Sequence, residues 1–147
     1  MSNYATRRST RFIAIHCSAT RPSQNVGAAE IRRWHCARGW VDIGYHFIIR
    51  RDGTVERGRP QNTIGAHVEG FNSTSVGVCL VGGVTERNIN KAEDNFTPAQ
   101  WAALKTLVTT RRELYPNAVV QGHRDFPKVT KACPSFDAKA WAKANGF

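Results

Sequence analysis

Long apolar runs are missing from this chain. Nothing in it approaches the ~18 consecutive apolar residues that a membrane-spanning helix needs, so no transmembrane segment is expected. Residues 1–11 are polar and basic, with no apolar stretch behind them. A secretory signal requires one. The expectation is therefore synthesis in the cytoplasm of a host cell, with any outside target reached after release by another factor. Cysteine is sparse: Cys17, Cys36, Cys79 and Cys133, with no Cys-x-x-Cys pair. That excludes a four-cysteine zinc ribbon, and in a cytosolic chain the thiols are expected to stay reduced. Repeats, low-complexity tracts and linkers are also missing, which leaves no place for a domain boundary.

Acidic residues are scarce, 11 against 21 Lys and Arg, and the net charge is +10. Such a balance favours a polyanionic partner: nucleic acid, lipopolysaccharide, an anionic membrane face or cell wall. The basic residues are scattered in pairs, as at Arg7-Arg8, Arg32-Arg33, Arg50-Arg51 and Arg111-Arg112, and form no long block. No paired zinc-finger ligands and no aromatic RNA-binding signature accompany them. Charge therefore selects a class of partner and no single one.

What is present suits one folded domain. The chain has 147 residues and 41% apolar content, enough to bury a core. Residues 1–10 read as a flexible basic arm and 11–147 as the domain. Segment 11–17 has Phe12, Ile13 and Ile15 and reads as a buried strand. Segment 28–38 has Ile31, Trp34 and His35 at helical spacing and stops at Gly39. Segment 44–50 reads as a second strand, turned back by Asp52-Gly53 into a short partner at 55–57. Residues 59–75 have no period and read as a long functional loop. Strand 75–81 follows, then a polar loop at 84–95. Thr97-Pro98-Ala99-Gln100 is a helix start with a capping box, and the helix runs to about residue 114. A short strand at 118–121 and a helix at 138–144, capped by Asp137, complete the chain. Strands alternating with helices predict an α/β fold: a single domain with a mixed central β-sheet and helices packed on it.

The chemistry-bearing residues sit where these elements end. His16 closes an apolar run, Ile13-Ala14-Ile15-His16-Cys17-Ser18. His123 follows a strand in Gln121-Gly122-His123-Arg124-Asp125. Cys133 stands in Lys131-Ala132-Cys133-Pro134-Ser135-Phe136-Asp137. His nitrogen and Cys sulfur are zinc's favoured donors. Three protein ligands with no evident fourth match a catalytic site, which keeps one position for water. Such a site is expected at the sheet's edge or face. Each residue alone has a plainer reading: a strand-end histidine is more often hydrogen-bonded structure, and a cysteine before proline is more often simply buried. Ligands this far apart give no local spacing signature of the His-Glu-x-x-His kind.

Further stretches join these: Gly44-Tyr45-His46-Phe47-Ile48-Ile49 with Arg51-Asp52-Gly53-Thr54; Gly65-Ala66-His67; Asn72; Ser75-Val76-Gly77-Val78-Cys79-Leu80; and Phe96-Thr97-Pro98-Ala99-Gln100. In this order, over nearly the whole chain, the set resembles the zinc-dependent N-acetylmuramoyl-L-alanine amidases of the type 2 amidase and peptidoglycan-recognition superfamily, in particular its coliphage endolysins. The resemblance implies hydrolysis of the amide between N-acetylmuramic acid and L-alanine of peptidoglycan, and hence lysis of the bacterial wall. It implies that His16, His123 and Cys133 bind Zn²⁺, that Tyr45 and Lys131 stand beside the metal as catalytic residues, and that His67 and Asn72 lie along the substrate groove. It also implies phage RNA polymerase as a second partner, since coliphage relatives bind theirs. The basic surface adds attraction to an anionic cell surface, and a monomer is expected. His46 alternates with Tyr45 and is expected to face away from the site; Cys17, next to His16, likewise. One departure stands out: Ser135 follows the Cys-Pro pair where the family often has Gly. Some superfamily members bind peptidoglycan without cutting it, typically when the cysteine ligand is missing. Cys133, Tyr45 and Lys131 are all present here, which disfavours that alternative.

Overall fold

The computed structural model describes residues 4–147. Five strands form one sheet: β1 Phe12–Cys17, β2 Phe47–Ile49, β3 Val55–Arg57, β4 Ser75–Leu80 and β5 Val119–Gly122. Their spatial order is β3-β2-β4-β1-β5. β1 pairs in parallel with both β4 and β5, and β4 in parallel with β2. β3 alone runs antiparallel, as the partner of β2 in the hairpin closed by Asp52-Gly53. The sheet is mixed, as expected. Three helices accompany it: α1 Ala28–Ala37, α2 Pro98–Leu114 and α3 Ala138–Ala144.

Strand alternation sorts the core into two sides. Ile13, Ile15 and Cys17 of β1, with Val76, Val78 and Leu80 of β4, pack with Leu104, Leu107 and Val108 of α2 and with Ala138 and Ala142 of α3. On the opposite side Ile48 and Cys79 meet Ala28 and Ile31 of α1. That side also receives Ala14 against Val68 and Phe126. His16, Ser75 and Gly77 alternate with the first set, and this side of the sheet is where polar chemistry collects.

α2 starts as its sequence indicates. The Thr97 hydroxyl accepts from the Gln100 amide at 3.1 Å, and the Gln100 side chain accepts from the Thr97 amide at 3.0 Å. The same Gln100 carboxamide, fully buried, donates to the carbonyls of Val81 (2.8 Å) and Ile49 (3.2 Å). One side chain thus satisfies the helix start and two strand ends at once. Asp137 caps α3 by accepting from the Ala140 amide at 3.0 Å.

Two expectations are corrected. β2 is shorter than the 44–50 strand read from its apolar content: Tyr45 and His46 precede it, although the His46 amide still donates to the Gly77 carbonyl of β4 and the Gly58 and Arg59 amides to the carbonyls of His46 and Tyr45. The arm at 1–10 is not free from Tyr4 onward, and residues 1–3 lie outside the described residues. Arg7 is buried, and its guanidinium donates to the carbonyls of Gln61 (2.6 Å) and Thr63 (2.9 Å), to the Thr10 hydroxyl (2.8 Å) and to the Tyr115 hydroxyl (3.1 Å). Its backbone amide donates to the Asn62 carbonyl at 2.7 Å, and the Ile64 amide to the Ala5 carbonyl at 2.9 Å. All four cysteines are free thiols. Among the described residues no helix is long and apolar enough to cross a membrane.

Candidate metal centre and cleft

Parallel pairing places the ends of β1 and β5 side by side. His16 is the fifth residue of β1, and His123 opens a 3₁₀ turn, His123–Asp125, directly after β5. Asp125 holds that turn, its carboxylate accepting from the Gly122 amide at 2.8 Å. The Arg124 amide then donates to the Cys133 carbonyl at 2.9 Å, which ties the turn to the loop bearing the cysteine. That loop is pinned in its own right. The Ser135 amide donates to the Ala132 carbonyl and the Ser135 hydroxyl to the Gly83 carbonyl, both at 2.8 Å. Ser135 adopts φ +72°, a region glycine enters more readily, so the hydroxyl's bond accompanies the departure from glycine at this position.

The outcome is a cluster. One ligand atom each from His16, His123 and Cys133 lie within 4.8 Å of one another. The His16 and His123 rings are 4.6 Å apart, and His16 Nδ1 is 3.9 Å from Cys133 Sγ. The Cys17 amide donates to Cys133 Sγ at 3.2 Å. Cys17's own thiol is 3.6 Å from the Ser135 hydroxyl, on the α2–α3 side of the sheet. Burial, then the neighbouring His67 and His123, pushes the His16 pKa well below 6.5. Burial, then the Lys131 ammonium, lowers that of His123. Both rings are held neutral, the form that binds metal.

Tyr45 stacks obliquely on His16, ring centres 5.0 Å apart. Burial, followed by the thiols of Cys79, Cys133 and Cys17, raises its hydroxyl pKa well above 10, so Tyr45 stays a donor. Lys131 is exposed at the mouth of the cluster. Beside them opens a cavity of about 890 Å³, lined among others by Trp40, His67, Asn72, His123, Lys128 and Lys131.

His67 and Asn72 line this cavity, and both are also engaged within the protein. Asn72 Oδ1 accepts from the amides of His67 (2.7 Å) and Val68 (2.8 Å), which folds the loop around His67. His67 Nδ1 lies 2.8 Å from His16 Nε2, and its Nε2 lies 3.2 Å from Ser75 Oγ. His46 does not face away from the site as expected: it alternates with Phe47 and shares the face of Ile48, the side of the sheet that carries the cluster. It packs below His67 at 5.7 Å, and its Nδ1 accepts from the Gly77 amide at 3.0 Å. His35, on α1, is buried; its Nδ1 accepts from the Gly44 amide at 2.9 Å and its ring backs Trp40 at 4.5 Å. Ser75 and Trp40 were not singled out in the sequence. Ser75 reads there only as the first residue of a strand, and Trp40 as a loop aromatic.

Two histidines and a cysteine at the mouth of a cleft are the donor set of an open, three-ligand zinc centre. The sequence profile of the N-acetylmuramoyl-L-alanine amidases matches residues 6–136. The chain is 53% identical over 142 residues to an endolysin of Klebsiella phage KP32, covering 97% of this chain and 91% of that protein. It is 52% identical over 139 residues to an endolysin of Escherichia phage T7, covering 95% and 89%. Among solved structures, the N-acetylmuramoyl-L-alanine amidase LysC from Clostridium intestinale superposes with a TM-score of 0.77 at 31% identity, covering 98% of this chain and 95% of that one. The chain belongs to the N-acetylmuramoyl-L-alanine amidase family.

Proposed function

We propose that the chain is a phage-type endolysin, an amidase that hydrolyses the bond between N-acetylmuramic acid and L-alanine of peptidoglycan and so lyses the wall. The observation that supports this reading best is the convergence of His16, His123 and Cys133 beside the cleft, in a chain of this family. The cluster fits zinc on its own dimensions. Tetrahedral bonds of about 2.3 Å to sulfur and about 2.0 Å to nitrogen put such donors about 3.5 Å apart, close to the 3.9 Å between His16 Nδ1 and Cys133 Sγ. His16, His123 and Cys133 would hold the ion. Zn²⁺ bound there supplies a Lewis acid for the amide carbonyl and a water of lowered pKa.

The remaining work falls to this chain's own groups. The cavity takes the glycan-peptide junction and orients its amide toward the cluster. Tyr45, kept protonated by burial, offers an O–H to the negative charge that develops on the amide oxygen. The Lys131 ammonium brings positive charge and N–H donors to the same mouth. One of these two groups passes a proton to the departing amine of L-alanine.

The test is release of new L-alanine amino termini from purified peptidoglycan, with a zinc chelator and then with zinc restored. Release that stops with the chelator and returns with zinc supports bond and metal together. A folded, zinc-loaded sample that releases nothing overturns the reading in favour of peptidoglycan binding alone. Action from the cytoplasm after release by another factor is part of the proposal. It fails if the chain expressed alone, with no membrane-permeabilising protein, lyses the cell. Phage RNA polymerase is proposed as a partner on sequence likeness to phage endolysins; absence of the cognate polymerase from a pull-down removes it.

A further inference from the structure

Beneath the metal cluster runs a line of hydrogen bonds whose direction can be worked out from its far end. The Ser75 hydroxyl lies 2.8 Å from the Phe71 carbonyl. A carbonyl only accepts, so the Ser75 proton points at it. Ser75 Oγ is then left to accept, and its other neighbour, His67 Nε2 at 3.2 Å, must bear a proton. A neutral imidazole has one N–H, so His67 Nδ1 is bare. It faces His16 Nε2 at 2.8 Å, and His16 Nε2 is therefore the protonated nitrogen of that ring. The bare nitrogen of His16 is Nδ1, the one 3.9 Å from Cys133 Sγ.

The space for this relay is shaped for an imidazole. At Gly77 of β4 an added Cβ would lie 2.8 Å from ring atoms of His67, and at Gly65 it would lie 2.7 Å from another. Neither position tolerates such a contact. His67 is 8% exposed, and its ring meets that of His16 edge-on at 80° with centres 4.9 Å apart. Asn72 fixes the backbone at His67 from the other side.

We infer that His67 is a positioning residue for zinc: through Ser75 and the Phe71 carbonyl it locks His16 as the Nε2–H tautomer and turns Nδ1 to the metal. This rests on the reading of His16 as a zinc ligand. Partners of this kind fix ring orientation and raise ligand basicity, and losing one weakens metal affinity about 10- to 100-fold. His67 therefore acts through His16, although it also lines the cleft.

The experiment measures zinc affinity by competition with a chromophoric chelator, on wild type, His67→Phe, His67→Gln and Ser75→Ala. His67→Phe fills the ring's space without a nitrogen and is expected to lose about 10- to 100-fold in affinity. Glutamine can accept from His16 and donate to Ser75, so His67→Gln is expected to recover most of that loss. Ser75→Ala is expected to fall between wild type and His67→Phe. Nitrogen NMR of wild type needs no variant and is expected to show His16 protonated at Nε2, with and without zinc. An Nδ1–H tautomer of His16 in the zinc-free protein overturns the inference. So does wild-type zinc affinity in His67→Phe with only KM for peptidoglycan raised, since His67 would then serve substrate alone. Failure of wild type to bind zinc at all would strike the metal-site reading itself, a separate result.

Discussion

The backbone amide of Cys17 donates to the sulfur of Cys133 across 3.2 Å. This joins the end of β1 to a loop on the far side of the sequence; the bond from the amide lowers the Cys133 thiol pKa, against the Cys17 thiol and burial, which together hold it well above 9. Cys133→Ser keeps the size but loses the soft donor. The variant is expected to fold, to purify without stoichiometric zinc and to lack amidase activity. Thermal unfolding with and without chelator checks it: wild type loses stability when zinc is stripped, whereas the midpoint of Cys133→Ser does not move.

Tyr45 and Lys131 are expected to matter for rate and not for metal retention. Removing one donor to a developing oxyanion costs about 10²- to 10³-fold in kcat. Tyr45→Phe and Lys131→Ala should each show a loss of that order while holding one zinc per chain. Metal analysis beside turnover separates the two effects. Zinc loss in step with activity would contradict both roles.

Acid sensitivity should come in part from His46. Its Nδ1 accepts from the Gly77 amide, so its proton sits on Nε2, which donates to the Thr63 carbonyl at 2.8 Å. A second proton would have to break the bond from Gly77. Burial accordingly pushes its pKa from 6.5 down to about 4. The unfolded chain takes up that proton near 6.5 and the folded chain does not. The stabilisation is therefore complete above pH 6.5 and is lost as pH falls toward 4, by about 3 kcal/mol at about 1.4 kcal/mol per unit. Urea unfolding of zinc-free protein at several pH values checks this. His46→Gln should show a shallower acid decline than wild type, with the remainder due in part to His35, which burial also lowers to about 4.

Arg7→Ala should loosen the segment it crosses. The guanidinium satisfies the carbonyls of Gln61 and Thr63 and lies 5.6 Å from the Tyr115 ring centre. Truncation is expected to destabilise the fold by about 2 kcal/mol and to speed amide exchange at Ile64, whose N–H is bonded to Ala5. Unchanged exchange at that amide would mean the arm is held by its backbone alone.

The sequence made the frame easy to read where a local signal has one physical meaning. Thr97-Pro98-Ala99-Gln100 starts a helix because its side chains satisfy its own first amides, and Asp52-Gly53 closes a hairpin because glycine takes φ +89° there. The two histidines and the cysteine were legible as strand-end and loop residues of the right donor type. Their meeting was expected only through the family resemblance, because it depends on parallel pairing of β1 with β5, which no local pattern encodes. His67 was placed in the right loop, yet its bond to His16 lies between two segments with no shared period. Arg7 looked like any basic residue of a basic stretch. What buries it is a ring of carbonyls, and carbonyls leave no mark in a sequence. Tyr45 and His46 were drawn into a strand by their apolar neighbours; β2 begins at Phe47, although the His46 backbone still bonds to Gly77 and Gly58.

His16 and Cys133 are separated by 117 positions, and β5 reaches its place only by lying against the first strand of the chain. Such long-range pairing is slow to close, because loop-closure entropy must be given up before the contact forms. A chain stalled during synthesis, or cut anywhere ahead of Cys133, holds at most two of the three proposed ligands. On the proposed zinc site, amidase activity is expected only once Cys133 has been added and β5 has paired with β1, and a chain cut ahead of Cys133 is expected to show none.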